Sequence, residues 1–315
     1  MPDVELLFVD EKPYFAEIDN SLPHRALYRL LGRRPPRLLA FERALLETAA
    51  AGRPDVVLIV KGPYVRPQVL RRLRQLGATL VNFSTDDPFS PVAKYPYLRD
   101  AIREYDVYAT PRTANIPQLR AHGARKTPTI PFAYKPSVHF VDAGDVPDDE
   151  GCDLLFIGGA DPDRTEFFRR VVALWPDDRL QLYGNYWNRD TVLRRFWRGF
   201  AFGDLYRTAT RRAACTINLV RRLNRDGHVM RTFEVPACGG CMLAERTSDH
   251  ESFFEDGVDA LFFETPEDVV RQARSVLADR GRRQAIAASG HARVLRDRHT
   301  YRDRLQTLLT ACATH

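Results

Sequence analysis

The stretch Asp55-Val-Val-Leu-Ile-Val-Lys-Gly-Pro-Tyr-Val-Arg-Pro-Gln-Val-Leu-Arg-Arg-Leu-Arg-Gln-Leu-Gly-Ala-Thr-Leu-Val-Asn-Phe83 decides the fold class. Asp55 to Val60 is a short continuous apolar run, the signature of a strand buried on both faces. Arg66 to Leu76 carries its apolar residues at helical spacing and is closed by Gly77, after which Thr79 to Phe83 is apolar again. Strand, crossover helix and second strand in so short a span form a parallel, right-handed β-α-β unit.

The same alternation runs outward from this unit. Upstream, Val4 to Val9 reads as a first strand and Ala40 to Ala51 as a helix ended by Gly52 and Pro54. Downstream come a helix near Tyr97 to Glu104, a strand at Val107 to Thr110, a helix at Asn115 to His122 and a strand near Thr127 to Ile130. Pro136 to Gly151 is rich in proline, glycine and acids, the composition of an exposed connection. The α/β pattern then restarts. Cys152 to Ile157 is a strand, Gly158 and Gly159 a turn, and Arg164 to Trp175 a helix. Further strands are expected at Leu180 to Tyr183, Cys215 to Leu219, Cys241 to Ala244 and Ala260 to Phe263. Helices are expected at Leu205 to Ala213, Thr232 to Ala237, Pro266 to Ala278, Gly281 to Val294 and Tyr301 to Cys312.

Length supports the division. A chain of 315 residues exceeds one compact α/β domain and suits two of about 150 residues each. The expected domains are 1–138 and 150–298, each Rossmann-like, with a closing helix at about 299–315 that packs back on the first.

Composition narrows the function classes. Hydrophobic residues make up 44% and charged residues 28%, ordinary globular usage that excludes disordered and fibrous classes. The net charge of +6 raises a polyanion-binding reading, but only five of the 47 basic residues are lysine, and the arginines are dispersed among 41 acids. Nucleic acid is therefore not expected as a partner. The densest basic stretch, Arg194 to Arg222, leaves peripheral contact with a membrane surface open. No apolar run reaches the ~18 residues of a membrane span, and with no basic leader the expected location is cytoplasmic. The five cysteines have no paired metal-ligand spacing, and the lone Cys238-Gly-Gly-Cys241 is not a zinc motif.

The chemistry is concentrated in Asn218 to Glu245, N-L-V-R-R-L-N-R-D-G-H-V-M-R-T-F-E-V-P-A-C-G-G-C-M-L-A-E. Arg231 to Gly240 places Glu234 at a helix start, with glycines closing the helix and a strand following. A carboxylate there can accept hydrogen bonds from two vicinal hydroxyls, and helix N-termini suit phosphate oxygens. Taken singly, Glu234 is an acid stabilised by the helix dipole and Asp226-Gly227 a common turn pair.

Here the sequence resembles the spore maturation protein CgeB type of glycosyltransferase, related to the large retaining GT-B group. The resemblance spans both halves: D-V-V-L-I-V-K-G, N-F-S-T-D-D-P, P-F-A-Y-K-P and, near the end, H-T-Y-R-D-R-L. It implies a GT-B fold, two Rossmann-like domains facing each other across a cleft, with the donor mostly on the second. The related group carries two glutamates eight positions apart. Glu234 matches the second, implied to hold ribose hydroxyls. Asp226 stands at the first, one methylene shorter, and is implied to face the donor sugar.

Around these, Gly158 and Gly159 allow close backbone approach to a diphosphate, and Arg164 or Arg231 can neutralise leaving-group charge. Gly227 and His228 lie beside Asp226. Tyr183, Tyr186 and Trp187 offer a wall for base stacking. Asp86 and Asp87, just past a strand's carboxyl end, are candidates to orient an acceptor hydroxyl or act as base. The expected activity is metal-independent transfer, with retention, of a hexose-like unit from a nucleoside diphosphate sugar to a hydroxyl acceptor, be it glycan, lipid or small molecule. No further cofactor is expected. The rivals are a nucleotide-sugar binding protein without transfer, a nucleotide-sugar epimerase and a basic polyanion-binding module.

Overall fold

A computed structural model describes residues 4–15, 26, 28–30, 34–35, 37–140, 151–175 and 179–313. By contacts the chain forms two compact units. The first comprises Met1–Ile130, Leu223–Arg225 and Gln306–His315; the second comprises Pro131–Arg222 and Asp226–Leu305. Most of the acidic connection read from the sequence, residues 141–150, lies outside the described residues, as do residues 314–315 of the closing helix.

In the first unit, β1 (Val56–Val60), β2 (Thr79–Phe83) and β3 (Val107–Ala109) form a parallel sheet in the order β1-β2-β3. Val56 pairs with Thr79 and Val81 with Val107. Helices α1 (Leu38–Gly52), α2 (Pro67–Gln75) and α3 (Ile116–Ala121) accompany the strands. Arg66 precedes α2 in extended conformation and Pro67 opens it, where a missing N–H costs nothing. Val69, Leu70 and Leu73 then fall on one face and are buried with Leu80, Ile102 and Tyr105.

Four expectations fail in this unit. β1 is not buried on both faces: among the described strands it pairs only with β2, and Leu58 and Val60 are exposed. Val4 to Val9 is not a strand. The segment is coil, and Val4, Leu6, Leu7 and Phe8 are exposed. An apolar run satisfies a strand's composition, but a strand also needs a ladder partner for its backbone groups. Thr127 to Ile130 makes only the isolated bridge Thr110↔Thr129, preceded by Val107↔Lys126, because Pro128 and Pro131 interrupt the donors a ladder requires. The helix near Tyr97 shrinks to a turn ending in the 3-10 segment Ile102–Glu104.

The second unit contains a five-stranded parallel sheet of β4 (Cys152–Ile157), β5 (Leu180–Tyr183), β6 (Ala213–Asn218), β7 (Met242–Glu245) and β8 (Leu261–Phe263), ordered β5-β4-β6-β7-β8. Every residue of β4 and β6 is buried, which accounts for their mainly apolar sequence, with Asp153, Thr216 and Asn218 as buried polar exceptions. Its helices longer than the single turn Pro136–His139 are α4 (Pro162–Leu174), α5 (Gly203–Arg212), α6 (Arg231–Ala237), α7 (Ser248–Phe253), α8 (Pro266–Ala278) and α9 (Arg280–Arg296). α10 (Tyr301–Ala313) closes the described chain. The largest core cluster lies here, with Phe156, Phe168 and Trp187 in mutual ring contact at 4.9 to 5.8 Å.

The strand order carries a functional consequence. From β4 the chain moves to β5 on one side and then returns to β6 on the other, so the order reverses between β4 and β6. Open α/β sheets bind ligands outside the carboxyl ends of their strands at such a switch point.

Candidate functional site

At the carboxyl end of β4 the backbone is packed too tightly for side chains. A Cβ on Gly158 would fall 2.8 Å from Cζ of Phe156, and one on Gly184 would fall 2.5 Å from the Gly158 carbonyl oxygen. Trp187 fixes this turn by donating its indole N–H to the Gly158 carbonyl at 2.7 Å. Asp161 then caps α4 by accepting the Arg164 backbone N–H at 3.0 Å.

Arg164 itself is 9% exposed and joins the two strands that flank the switch point. Its Nη1 donates to the Gly159 carbonyl after β4 at 3.1 Å, and its Nη2 to the Leu219 carbonyl after β6 at 3.2 Å. Nε makes no hydrogen bond among the described residues, although Asp161 Oδ2 lies 3.7 Å away. Burial first, then the charges of Arg221 and Arg231, pull the guanidinium down to about 10, with Asp161 and Asp226 opposing. A buried cation surrounded by other cations is stabilised by an incoming anion.

The loop after β6 is held by side chains from β7 and α7. Val220 N–H donates to Glu245 Oε2 at 3.2 Å, and Thr247 Oγ1 donates to the Gly227 carbonyl at 2.6 Å. A Cβ on Gly227 would collide with the Asp249 carboxylate. His228 is 2% exposed with both ring nitrogens engaged. Nδ1 donates to Asp249 Oδ2 at 2.7 Å, and Nε2 accepts the Phe132 N–H at 3.1 Å. His228 thus braces the loop that carries Asp226, and its hydrogen bond holds Asp249 below the usual carboxylate range.

Behind the loop lies a buried polar network. Thr232 Oγ1 accepts Asn218 Nδ2 and the Val229 N–H, each at 3.1 Å, and donates to His250 Nε2 at 2.9 Å. His250 Nδ1 donates to the Glu245 carbonyl at 2.6 Å, which fixes the neutral tautomer, and burial pushes the ring down to about 4.

Glu234 is half-buried on α6. Its Oε2 accepts the Tyr206 hydroxyl at 3.1 Å, and His139 Nε2 stands 3.7 Å from Oε1. Burial, reinforced by the Glu234 charge, keeps Tyr206 protonated well above its ordinary range, and burial pushes His139 down. Arg231, one turn before Glu234, acts electrostatically on Arg164, Tyr206 and His139 together. Gly158, Gly159, Arg164, Asp226, Gly227, His228, Arg231 and Glu234 therefore all belong to the second unit, at the β4 and β6 strand ends or on the loop and helix that follow β6.

Asp86 and Asp87 belong to the first unit and have committed partners there. Asp87 is 1% exposed; it accepts the Phe89 N–H at 2.8 Å and pairs with Arg225 Nε at 2.7 Å. Arg225 takes a left-handed φ of 53° and also donates to Asn115 Oδ1 at 3.0 Å. Asp86 pairs with Lys61 Nζ at 2.6 Å and accepts Asn224 Nδ2 at 3.4 Å. Burial alone would raise the Asp86 carboxyl, but the Lys61 ion pair prevails and holds it below the usual range. The aromatic wall does not form as expected. Trp187 is wholly buried in the core, while Tyr186 is half-exposed beneath the Arg189 guanidinium at 4.3 Å.

Sequence reasoning passed over Tyr206, Asn218, His250, Asp249 and Glu245. Glu245 ends β7, and burial raises its carboxyl against the Val220 N–H, Arg222 and Arg164. Its position at a strand's carboxyl end beside the switch point was the available signal.

A family model described as glycosyl transferase-like matches residues 164–310, a little under half of the chain. Among curated proteins there is no significant sequence match. Solved structures similar to this fold include HepE of Anabaena in complex with UDP (12% identity, TM-score 0.59), covering 97% of this chain and 94% of that one. Sucrose-phosphate synthase of Thermosynechococcus elongatus is 14% identical with a TM-score of 0.60, covering 86% and 76% of the two chains. A UDP-forming α,α-trehalose-phosphate synthase of Burkholderia xenovorans is 14% identical with a TM-score of 0.58, covering 96% and 85%. The chain has the GT-B fold of these structures, and its residues 164–310 are similar to the glycosyl transferase-like family.

Proposed function

We propose that the protein transfers a sugar from a nucleoside diphosphate sugar to a hydroxyl acceptor, with the donor held at the β4/β6 switch point of the second unit. The observation that carries this reading is Arg164: a guanidinium buried at 9% exposure, fixed by carbonyls from both strand ends, in the field of two further arginines. Such a cation is preorganised for charge that develops as the bond between the anomeric carbon and the diphosphate oxygen breaks. Arg231 supplies a second cation, and with this charge provided by the chain we read the transfer as metal-independent. Glu234, oriented by Tyr206, would accept two ribose hydroxyls, and Asp226 would face the sugar.

The finer parts of this reading rest on the paired-acid resemblance: retention, a hexose-like sugar and membership of the CgeB-type subgroup, carried by Asn218 to Asp249. Asp86, ion-paired to Lys61, is a weak base but a suitable acceptor of a substrate hydroxyl's hydrogen bond. Asp87 has both oxygens engaged and is better suited to orienting its loop.

Release of nucleoside diphosphate from a panel of UDP-, GDP- and TDP-linked sugars tests the proposal, since slow hydrolysis reports the donor site without a known acceptor. One nucleotide class should be turned over. Arg164→Ala should reduce the rate about a hundredfold, the usual loss for a preorganised donor to developing charge. Glu234→Ala should mainly raise KM. Nucleotide binding without release would favour the non-transferring alternative, and indifference to every nucleotide sugar would end the glycosyltransferase reading.

A further inference from the structure

The second unit carries a surface feature that sugar transfer does not use. Gly199 (φ 83°) and Gly203 (φ 53°) bracket Phe200-Ala201-Phe202, and their left-handed conformations turn this strap outward. The strap is anchored at its base. Trp197 Nε1 donates to the Gly184 carbonyl at 2.9 Å, Arg198 N–H to the Leu182 carbonyl at 2.9 Å, and Gly184 N–H to the Gly199 carbonyl at 2.8 Å. Ala201 is buried, yet Phe200 and Phe202 are 48% and 78% exposed, their rings stacked at 6.1 Å with 7° between planes. Leu205 and Val192 add 47% and 44% exposed aliphatic surface nearby in sequence.

The charge around the strap is one-sided. Residues 186–212 hold seven arginines against two aspartates, so this short span carries nearly all of the chain's net +6. One of the two acids, Asp190, is already paired with Arg169 at 2.7 Å, and the other, Asp204, with Arg207.

We propose that this strap is a membrane-surface anchor, in which Phe200 and Phe202 enter the headgroup boundary of an anionic bilayer while the surrounding arginines contact its phosphates. Exposed apolar rings flanked along the chain by cations have the composition of interfacial binding elements. A second copy of the chain would bring the same positive surface against itself and be repelled. A nucleic acid, which would meet the same cations and ring faces, is the competing outcome that the single-stranded RNA arm of the test reads. The strap's base meets Gly184, which packs against the Gly158 turn of the donor site, so the test reads vesicle binding and not nucleotide turnover.

Co-sedimentation of the full chain with vesicles tests it, using phosphatidylcholine alone and equal parts phosphatidylcholine and phosphatidylglycerol. Binding is expected to the anionic vesicles only and to weaken with added salt. Phe200→Ser with Phe202→Ser should lower partitioning about tenfold or more. Arg194→Glu should lower it at least about fivefold, the equivalent of ~1 kcal/mol for one arginine near an anionic surface. Both variants change exposed side chains and should keep the wild-type melting temperature. The proposal is overturned if anionic vesicles do not bind, if the double phenylalanine variant binds as well as wild type, or if a self-association or single-stranded RNA binding lost in that variant takes the place of vesicle binding.

Discussion

Arg164 shows how one side chain can do what a point charge cannot. Its fork reaches the Gly159 and Leu219 carbonyls at once, and lysine cannot span both. Arg164→Lys should therefore keep the charge but lose the geometry, lowering the rate of diphosphate release by an order of magnitude or more while leaving the melting temperature within a few degrees of wild type. His250 makes a second prediction. In the unfolded chain it titrates near its ordinary value of 6.5, whereas in the fold burial holds it at about 4. Between these values the unfolded state takes up a proton that the native state refuses. Stability is thus complete above about pH 6.5 and declines as pH falls towards about 4, by on the order of 3 kcal/mol for this ring. Denaturant midpoints at about pH 7 and about pH 4.5 should differ less in His250→Gln than in wild type. Some of the drop should persist, because burial holds His299 at about 4 as well.

At the scale of elements, turns and caps were more legible in the sequence than partners. Thr265 and Asp268 form a reciprocal capping box at α8, readable from T-P-E-D, and Thr265→Ala should destabilise the second unit by about 1 kcal/mol, seen as a lower urea midpoint. The second-unit strands, and the helices except α7, were legible within a few residues because buried parallel strands have mainly apolar runs and the longer helices show helical spacing. Val4 to Val9 misled because composition does not reveal whether a ladder partner exists, and Pro128 and Pro131 deny the segment Thr127 to Ile130 the donors of a ladder. The loop around Asp226 is held by Thr247, which bonds the Gly227 carbonyl, and by Asp249, which pairs with the loop's own His228, distant residues whose pairing no local pattern encodes. Gly227→Ala would drive a methyl into the Asp249 carboxylate, so it should break the His228 hydrogen bond and impair donor binding more than stability. Nucleotide titration beside urea denaturation of that variant separates the two effects.

Across the whole molecule, the two α/β units and the candidate donor residues of the second were visible in the sequence as restarted β-α-β periodicity and as the Asn218 to Glu245 stretch. The switch point was not, because strand order depends on which strands pair, and it is this order that gives Arg164 its meaning. The net charge is uneven along the chain: most of it falls in residues 186–212, the span that holds the exposed aromatic strap. The central claim is that a nucleoside diphosphate binds the second unit through Arg164. Calorimetric titration of wild type and Arg164→Ala with UDP, GDP and TDP, in buffer containing a chelator, tests it most directly. The account predicts that one of the three binds the wild type without a divalent cation and that the substitution weakens it by roughly a hundredfold, the loss expected for a buried charge-assisted contact. Equal affinity in both proteins, or no binding of any nucleoside diphosphate to the wild type, would contradict it.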